Sequence, residues 1–174
     1  MRKPTILLIF SAVIIALFYA AYEMTAPQPA QSAELSWHSY DEGAALAVKE
    51  QKKILVDVFT DWCVWCKKMD KEVYSSHSVV AAMNKNFVLV KLDAESPKKL
   101  TYGGKQYSEQ ELAHALGVSG YPTTVFLQPD AHPITSVDGY VEGDRFTTIL
   151  AYIGDDHYKT IPFNDYLTKS GKNQ

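Results

Sequence analysis

In the stretch Ile54-Leu55-Val56-Asp57-Val58-Phe59-Thr60-Asp61-Trp62-Cys63-Val64-Trp65-Cys66-Lys67-Lys68, an apolar run gives way to two thiols and then to lysines. The run 54–60 has the length of a strand. Its apolar character, broken by Asp57, is that of a strand buried on both faces. A Cys-x-x-Cys pair directly after such a strand is the sequence form of a thiol–disulfide redox site. A helix is expected from Cys63 to about Tyr74. At its start, unpaired N–H groups and the positive end of the helix dipole favour a thiolate on Cys63. Cys66 follows one turn later on the same face, within disulfide reach. Cys63 is therefore the expected nucleophile. Cys66, expected to be the more buried of the two, is the resolving thiol of a Cys63–Cys66 redox-active disulfide.

These are the only two cysteines in 174 residues. A purely structural bridge closing so short a loop removes little unfolded-chain entropy. A closed zinc site needs four ligands. No second cysteine pair exists, and His38, His77, His114, His132 and His157 are scattered. Neither a metal nor a cofactor is expected. The net charge of −3, with no basic cluster interleaved with aromatics, argues against a nucleic-acid partner. Eleven Tyr and seven Phe supply apolar area for a core.

Ahead of the domain, Arg2 and Lys3 precede an apolar run from Thr5 to Tyr22, followed by a Pro/Gln/Ala-rich stretch, Thr25–Ala33. As a helix that run reaches about 27 Å, close to one bilayer core. It is longer than a signal-peptide apolar region, and no clean small-x-small cleavage site follows. Residues 1–24 are thus expected to be a signal anchor, with a cleaved signal peptide as the alternative. Residues 25–36 read as a linker, 37–168 as the domain and 169–174 as a flexible tail. Positive charge before the run puts the domain outside the cytoplasm. The simplest such place is a bacterial periplasm, with residues 5–22 in the inner membrane or a cleaved soluble form.

Along the domain, a capping box (Ser39, Glu42) opens a helix over Ser39–Lys52. Ser78–Asn84 is a further helix, and Phe87–Asp93 a second central strand. Tyr102-Gly103-Gly104-Lys105 has the composition of a tight hairpin turn. A second capping box (Ser108, Glu111) opens a helix that Gly117 ends. Strands are expected at Pro122–Gln128 and Ile134–Val137. An amphipathic helix is expected at Asp144–Ile153, with Tyr158, Phe163 and Tyr166 docking after it. This order implies an α/β fold with one central mixed sheet of four or five strands, covered by helices on both faces.

Three segments together resemble the thioredoxin superfamily: Val56–Lys67 around the cysteines, Lys91-Leu92-Asp93, and Gly117-Val118-Ser119-Gly120-Tyr121-Pro122-Thr123. Within it, the chain is similar to exported thioredoxin-like proteins of the thiol:disulfide interchange, sulfur-oxidation and cytochrome c maturation groups. The resemblance implies a thioredoxin fold over about 54–153. It also implies Asp57 beneath the cysteines, Lys91 beside Asp57, and a cis bond before Pro122 that presents the Tyr121 backbone to a partner strand. Asp57 in the middle of an apolar strand should have a raised pKa. From there it would accept the Cys66 proton; a solvated edge carboxylate is the bland alternative. Trp62 is expected to be a packing platform and Trp65 an exposed contact.

Val64-Trp65 stands where thioredoxin has Gly-Pro, and it places no cation beside the thiolate. The expected function is therefore an exported disulfide reductase. Its expected partners are a disulfide-bearing client protein and a membrane electron donor of the interchange type, and the chain is expected to be monomeric. An oxidase or isomerase is the nearest rival. A thioredoxin-fold chaperone or a Cu(I) carrier is the reading from another class.

Overall fold

A computed structural model of the protein describes residues 34–171. The expected anchor, most of the linker and the end of the tail lie outside the described residues. Among the described residues, no helix is long and apolar enough to cross a membrane.

The strands are β1 (Trp37–His38), β2 (Lys53–Phe59), β3 (Phe87–Asp93), β4 (Lys99–Tyr102), β5 (Lys105–Ser108), β6 (Thr123–Leu127) and β7 (Pro133–Asp138). The helices are α1 (Tyr40–Glu50), α2 (Val64–Glu72), α3 (His77–Asn86), α4 (Glu109–Ala115), α5 (Gly143–Gly154) and α6 (Phe163–Lys169). Five strands form one mixed sheet in the order β1-β3-β2-β6-β7, and β4 and β5 form a separate hairpin. β2 is central. It runs parallel to β3 and antiparallel to β6, and the α2–α3 crossover supplies the long connection a parallel pair needs.

Period-two alternation sorts β2 onto two cores. Ile54, Val56 and Val58 pack with Val88, Val90, Leu92, Val125 and Leu127 beneath Tyr40 and Ala47 of α1 and Leu112 of α4. Leu55 packs with Leu89 and Phe126 beneath Met69, Met83, Phe146 and Leu150 of α2, α3 and α5. Each fully buried large aliphatic side chain contributes about 1.5–3 kcal/mol. α1 lies so close to the sheet that a Cβ at Gly43 would run into Val90.

Two local corrections follow from the backbone. Cys63 is the N-cap of α2 rather than its first residue, with an extended φ/ψ of −70°/103°. The edge strand β1, paired to β3 at Leu89 and Val90, is too short to show any periodicity in sequence. After α5 the chain turns back. Phe163 and Tyr166 close on Tyr152 at 5.0 and 5.2 Å between ring centroids, and the Gln128 amide donates to the Tyr158 hydroxyl at 2.8 Å.

Candidate active site

The sheet register brings one end of three strands together. Asp93 lies opposite Phe59, and Thr123 lies opposite Val58. The C-terminal ends of β2 and β3 therefore meet the start of β6. Beyond Phe59 the chain makes one tight turn, in which the Cys63 N–H donates to the Thr60 carbonyl at 3.1 Å. Helix α2 then begins. Cys63 and Cys66 are joined by a disulfide, their Cα atoms 5.3 Å apart. The Cys66 N–H donates to the Cys63 sulfur at 3.0 Å, a first-turn N–H with no carbonyl four residues back to take it. The same N–H is placed to stabilise a Cys63 thiolate when the bridge opens.

Both cysteines are 4 % exposed, which corrects the expectation that Cys66 is the more buried. Exposure lies instead in their neighbours: Trp62 at 63 %, Val64 at 75 % and Trp65 at 54 %. The Trp62 platform is an exposed one. Its indole N–H donates to the Glu95 carboxylate at 3.0 Å, and its ring meets Tyr121 edge-on at 5.9 Å. Trp65 tilts against Tyr140 at 5.5 Å, and the Lys68 ammonium lies over both rings. The Tyr121–Pro122 bond is cis. The Pro122 carbonyl accepts the Gly139 N–H at 2.7 Å, fixing this loop to the end of β7.

On the side of the sheet that α2 covers, β2 and β3 carry a charged cluster. Asp57 is 2 % exposed, and Lys91 is its register partner on β3. The Lys91 ammonium reaches Asp57 Oδ2 at 2.5 Å and Asp70 Oδ1 at 2.6 Å, while the Tyr74 hydroxyl donates to Asp57 Oδ1 at 3.0 Å. Burial pushes the Asp57 carboxyl above its ordinary range, although Lys91 and Tyr74 pull it part of the way back. Burial pulls Lys91 down, but Asp57 and Asp70 outweigh it and hold the ammonium above its usual value. Burial and the adjacent Asp57 raise the Tyr74 phenol well above its own.

Of the expected site residues, Asp57 pairs with Lys91, Trp62 meets Tyr121 beside the cis Pro122, and Trp65 stands exposed between the cysteines. Asp70, Tyr74, Glu95 and Tyr140 join them unforeseen. A signal for two of these existed: 63, 66, 70 and 74 step along one face of the helix that the cysteines open. On it Cys66 and Tyr74 are buried, and the half-exposed Asp70 reaches Lys91.

A disulfide at a helix start, a cis-proline loop beside it and a buried carboxyl on the preceding strand define a thiol–disulfide exchange site. Comparison with known proteins agrees. The family model for the thioredoxin-like domain matches residues 40–154, and the chain belongs to that family. It is 30% identical over 128 residues to the thiol:disulfide interchange protein DsbD of Vibrio vulnificus, covering 68% of this chain and 20% of that protein. It is 32% identical over 125 residues to an uncharacterized protein of Caenorhabditis elegans, covering 68% of this chain and 17% of that protein. The chain therefore spans about a fifth of the length of these curated relatives. Among solved structures, a thioredoxin from Thermus thermophilus superposes with a TM-score of 0.57 at 28% identity, covering 69% of this chain and 87% of that one.

Proposed function

We propose that the protein is an exported reductase of protein disulfides, tethered to a membrane by residues 5–22 and facing a bacterial periplasm. The observation that carries the reading is the Cys63 sulfur at the N-cap of α2, accepting the Cys66 N–H, with exposed Trp62, Val64 and Trp65 around it. In the reduced protein the Cys63 thiolate attacks one sulfur of a client disulfide. A mixed disulfide forms and the client's other sulfur leaves as a thiolate. Cys66 then loses its proton to Asp57 and attacks the Cys63 sulfur, which releases the second client thiolate and re-forms the Cys63–Cys66 bridge. Two electrons pass to the client. A dithiol donor, a membrane protein of the interchange type, reverses both steps to recharge the pair.

Asp57 suits the proton-accepting role because its raised affinity for protons leaves it closer to neutral pH than an ordinary carboxyl. The exposed aromatics suit a protein client, since aromatic side chains carry much of the energy of protein recognition. Val64 and Trp65 place no cation between the cysteines, which favours the reducing direction over an oxidase or isomerase. The domain acts as a monomer.

The test is direct. The reduced full-length chain should reduce insulin, and Cys63→Ser should abolish this. Cys66→Ser should accumulate a mixed disulfide through Cys63 with its client. A Cys63→Ser chain as active as the parent would overturn the reading.

A further inference from the structure

Lys91 is held by more than two carboxylates. Its ammonium lies 4.8 Å from the centroid of the Trp37 ring, 5.3 Å from Phe59 and 5.4 Å from Tyr74. Trp37 and Tyr74 lean on each other at 5.4 Å. Three aromatic faces and the carboxylates of Asp57 and Asp70 therefore surround one cation, an arrangement in which ring quadrupoles and full charges attract it together. Phe59 and Tyr74 come from the same β2–α2 segment as the cysteines. Trp37 does not. It stands on β1, a two-residue edge strand that adds little to the sheet by its backbone. Trp37 joins the core on the α2 side of the sheet, while His38, next in the strand, sits near Gly43 of α1 on the other side.

We propose that Trp37 is a positioning residue of the exchange reaction, its ring closing the cage that keeps the Lys91 ammonium on the Asp57 carboxylate. The proposal rests on the reading of Asp57 as the proton acceptor for Cys66. The ionisable groups facing Asp57 are Lys91 from β3, Asp70 from α2 and Tyr74 just beyond α2. β6 offers the neutral Thr124 opposite it, and β1 offers only the Trp37 ring. Removing that ring admits water to the cluster, and water weakens both influences on Asp57. Burial is the larger of the two, so the carboxyl falls back toward its ordinary range. Removing Lys91 has the opposite sign, because the burial remains and the compensating charge is gone.

The experiment uses the full-length chain and two kinds of readout. Carbon-13 titration follows the Asp57 carboxyl and nitrogen-15 spectra follow the Lys91 ammonium, a quarter exposed, whose hydrogen exchange the flanking rings and carboxylates slow. The pH profile of insulin reduction is recorded alongside. Trp37→Ala should lower the Asp57 midpoint by about one pH unit, a tenfold change in proton affinity, and Lys91→Met should raise it. Trp37→Phe, which keeps a π face, should stay near the parent and retain the Lys91 ammonium signal. Trp37→Leu, which fills space without a π face, should lose that signal even if the alanine variant does not fold. An unmoved midpoint in Trp37→Ala, or an intact ammonium signal in Trp37→Leu, overturns the proposal. A moved midpoint that the rate profile does not follow overturns the proton-acceptor reading of Asp57, and with it the positional role, while leaving the cage itself standing.

Discussion

The two faces of β2 are one residue out of step and behave as different materials. Ile54, Val56 and Val58 pack into an apolar cluster beneath α1 and α4. Leu55, Asp57 and Phe59 face α2 and its neighbours, and there the strand carries a carboxyl held by Lys91 and Tyr74. The first face can be optimised for packing alone. The second accepts a buried charge, which is costly unless paired and hydrogen-bonded, and it is the face on which the cysteine-bearing helix rests. Both faces carry a buried apolar core, and only the α2 side adds a charged cluster to it.

Moving the carboxyl by one residue should separate the two faces most strongly. Val56→Asp puts an unpaired carboxyl between Val90 and Val125. It should cost more than about 4 kcal/mol or prevent folding, read by urea denaturation. A mild effect would mean that the α1 side is not the dry face described. Next in size, Ile54→Ala should cost about 2–5 kcal/mol and leave the exchange rate of the folded protein unchanged. A slowed exchange would show that the two faces are coupled.

Asp57→Asn should act the other way around, slowing insulin reduction by about a hundredfold with a small change in stability, since the amide oxygen still accepts a hydrogen bond and Lys91 keeps Asp70. The parent should show a rate that rises through an inflection above the ordinary carboxylate value, absent in the variant. The pH dependence of stability has a definite sign. A carboxyl whose folded pKa is raised holds its proton more tightly when folded. The parent therefore loses stability relative to Asp57→Asn as pH rises from about 4, the ordinary Asp value, through the raised folded one, and the difference is constant above it. Denaturation curves that run parallel across that window would contradict the raised pKa.

Smallest of all, Ser108→Ala removes the reciprocal cap of α4, in which Ser108 Oγ accepts the Glu111 N–H at 3.0 Å. About 1 kcal/mol should be lost, with no effect on exchange.

Much of this could be read from the residues themselves. The strand Phe87–Asp93 matches its expected ends, because an apolar run bounded by polar residues marks a doubly buried strand. The Ser108 capping box marks the start of α4 for the equally local reason that both its hydrogen bonds lie within four residues. Asp57 stood out as the one carboxyl in an apolar strand. What stayed hidden depends on distant contacts. β1 has too few residues for a pattern, and Trp37 acquires its meaning from Lys91, fifty-four positions away. Asp70 and Tyr74 look like ordinary polar residues of a helix until the sheet is placed beneath them. Trp62, expected as a packing platform, packs at the surface against Glu95 and Tyr121, partners from two separate loops.

Whether the Cys63–Cys66 pair gives electrons rather than takes them is decided by equilibrating the protein against glutathione. With no cation between Cys63 and Cys66 to favour the thiolate, the potential should fall nearer about −270 mV, as in thioredoxin, than about −120 mV, as in a strong oxidant. That gap corresponds to about 7 kcal/mol at about 30 mV per 1.4 kcal/mol, ample to set the direction. A value more oxidising than about −180 mV, the isomerase range, would contradict the reductase account.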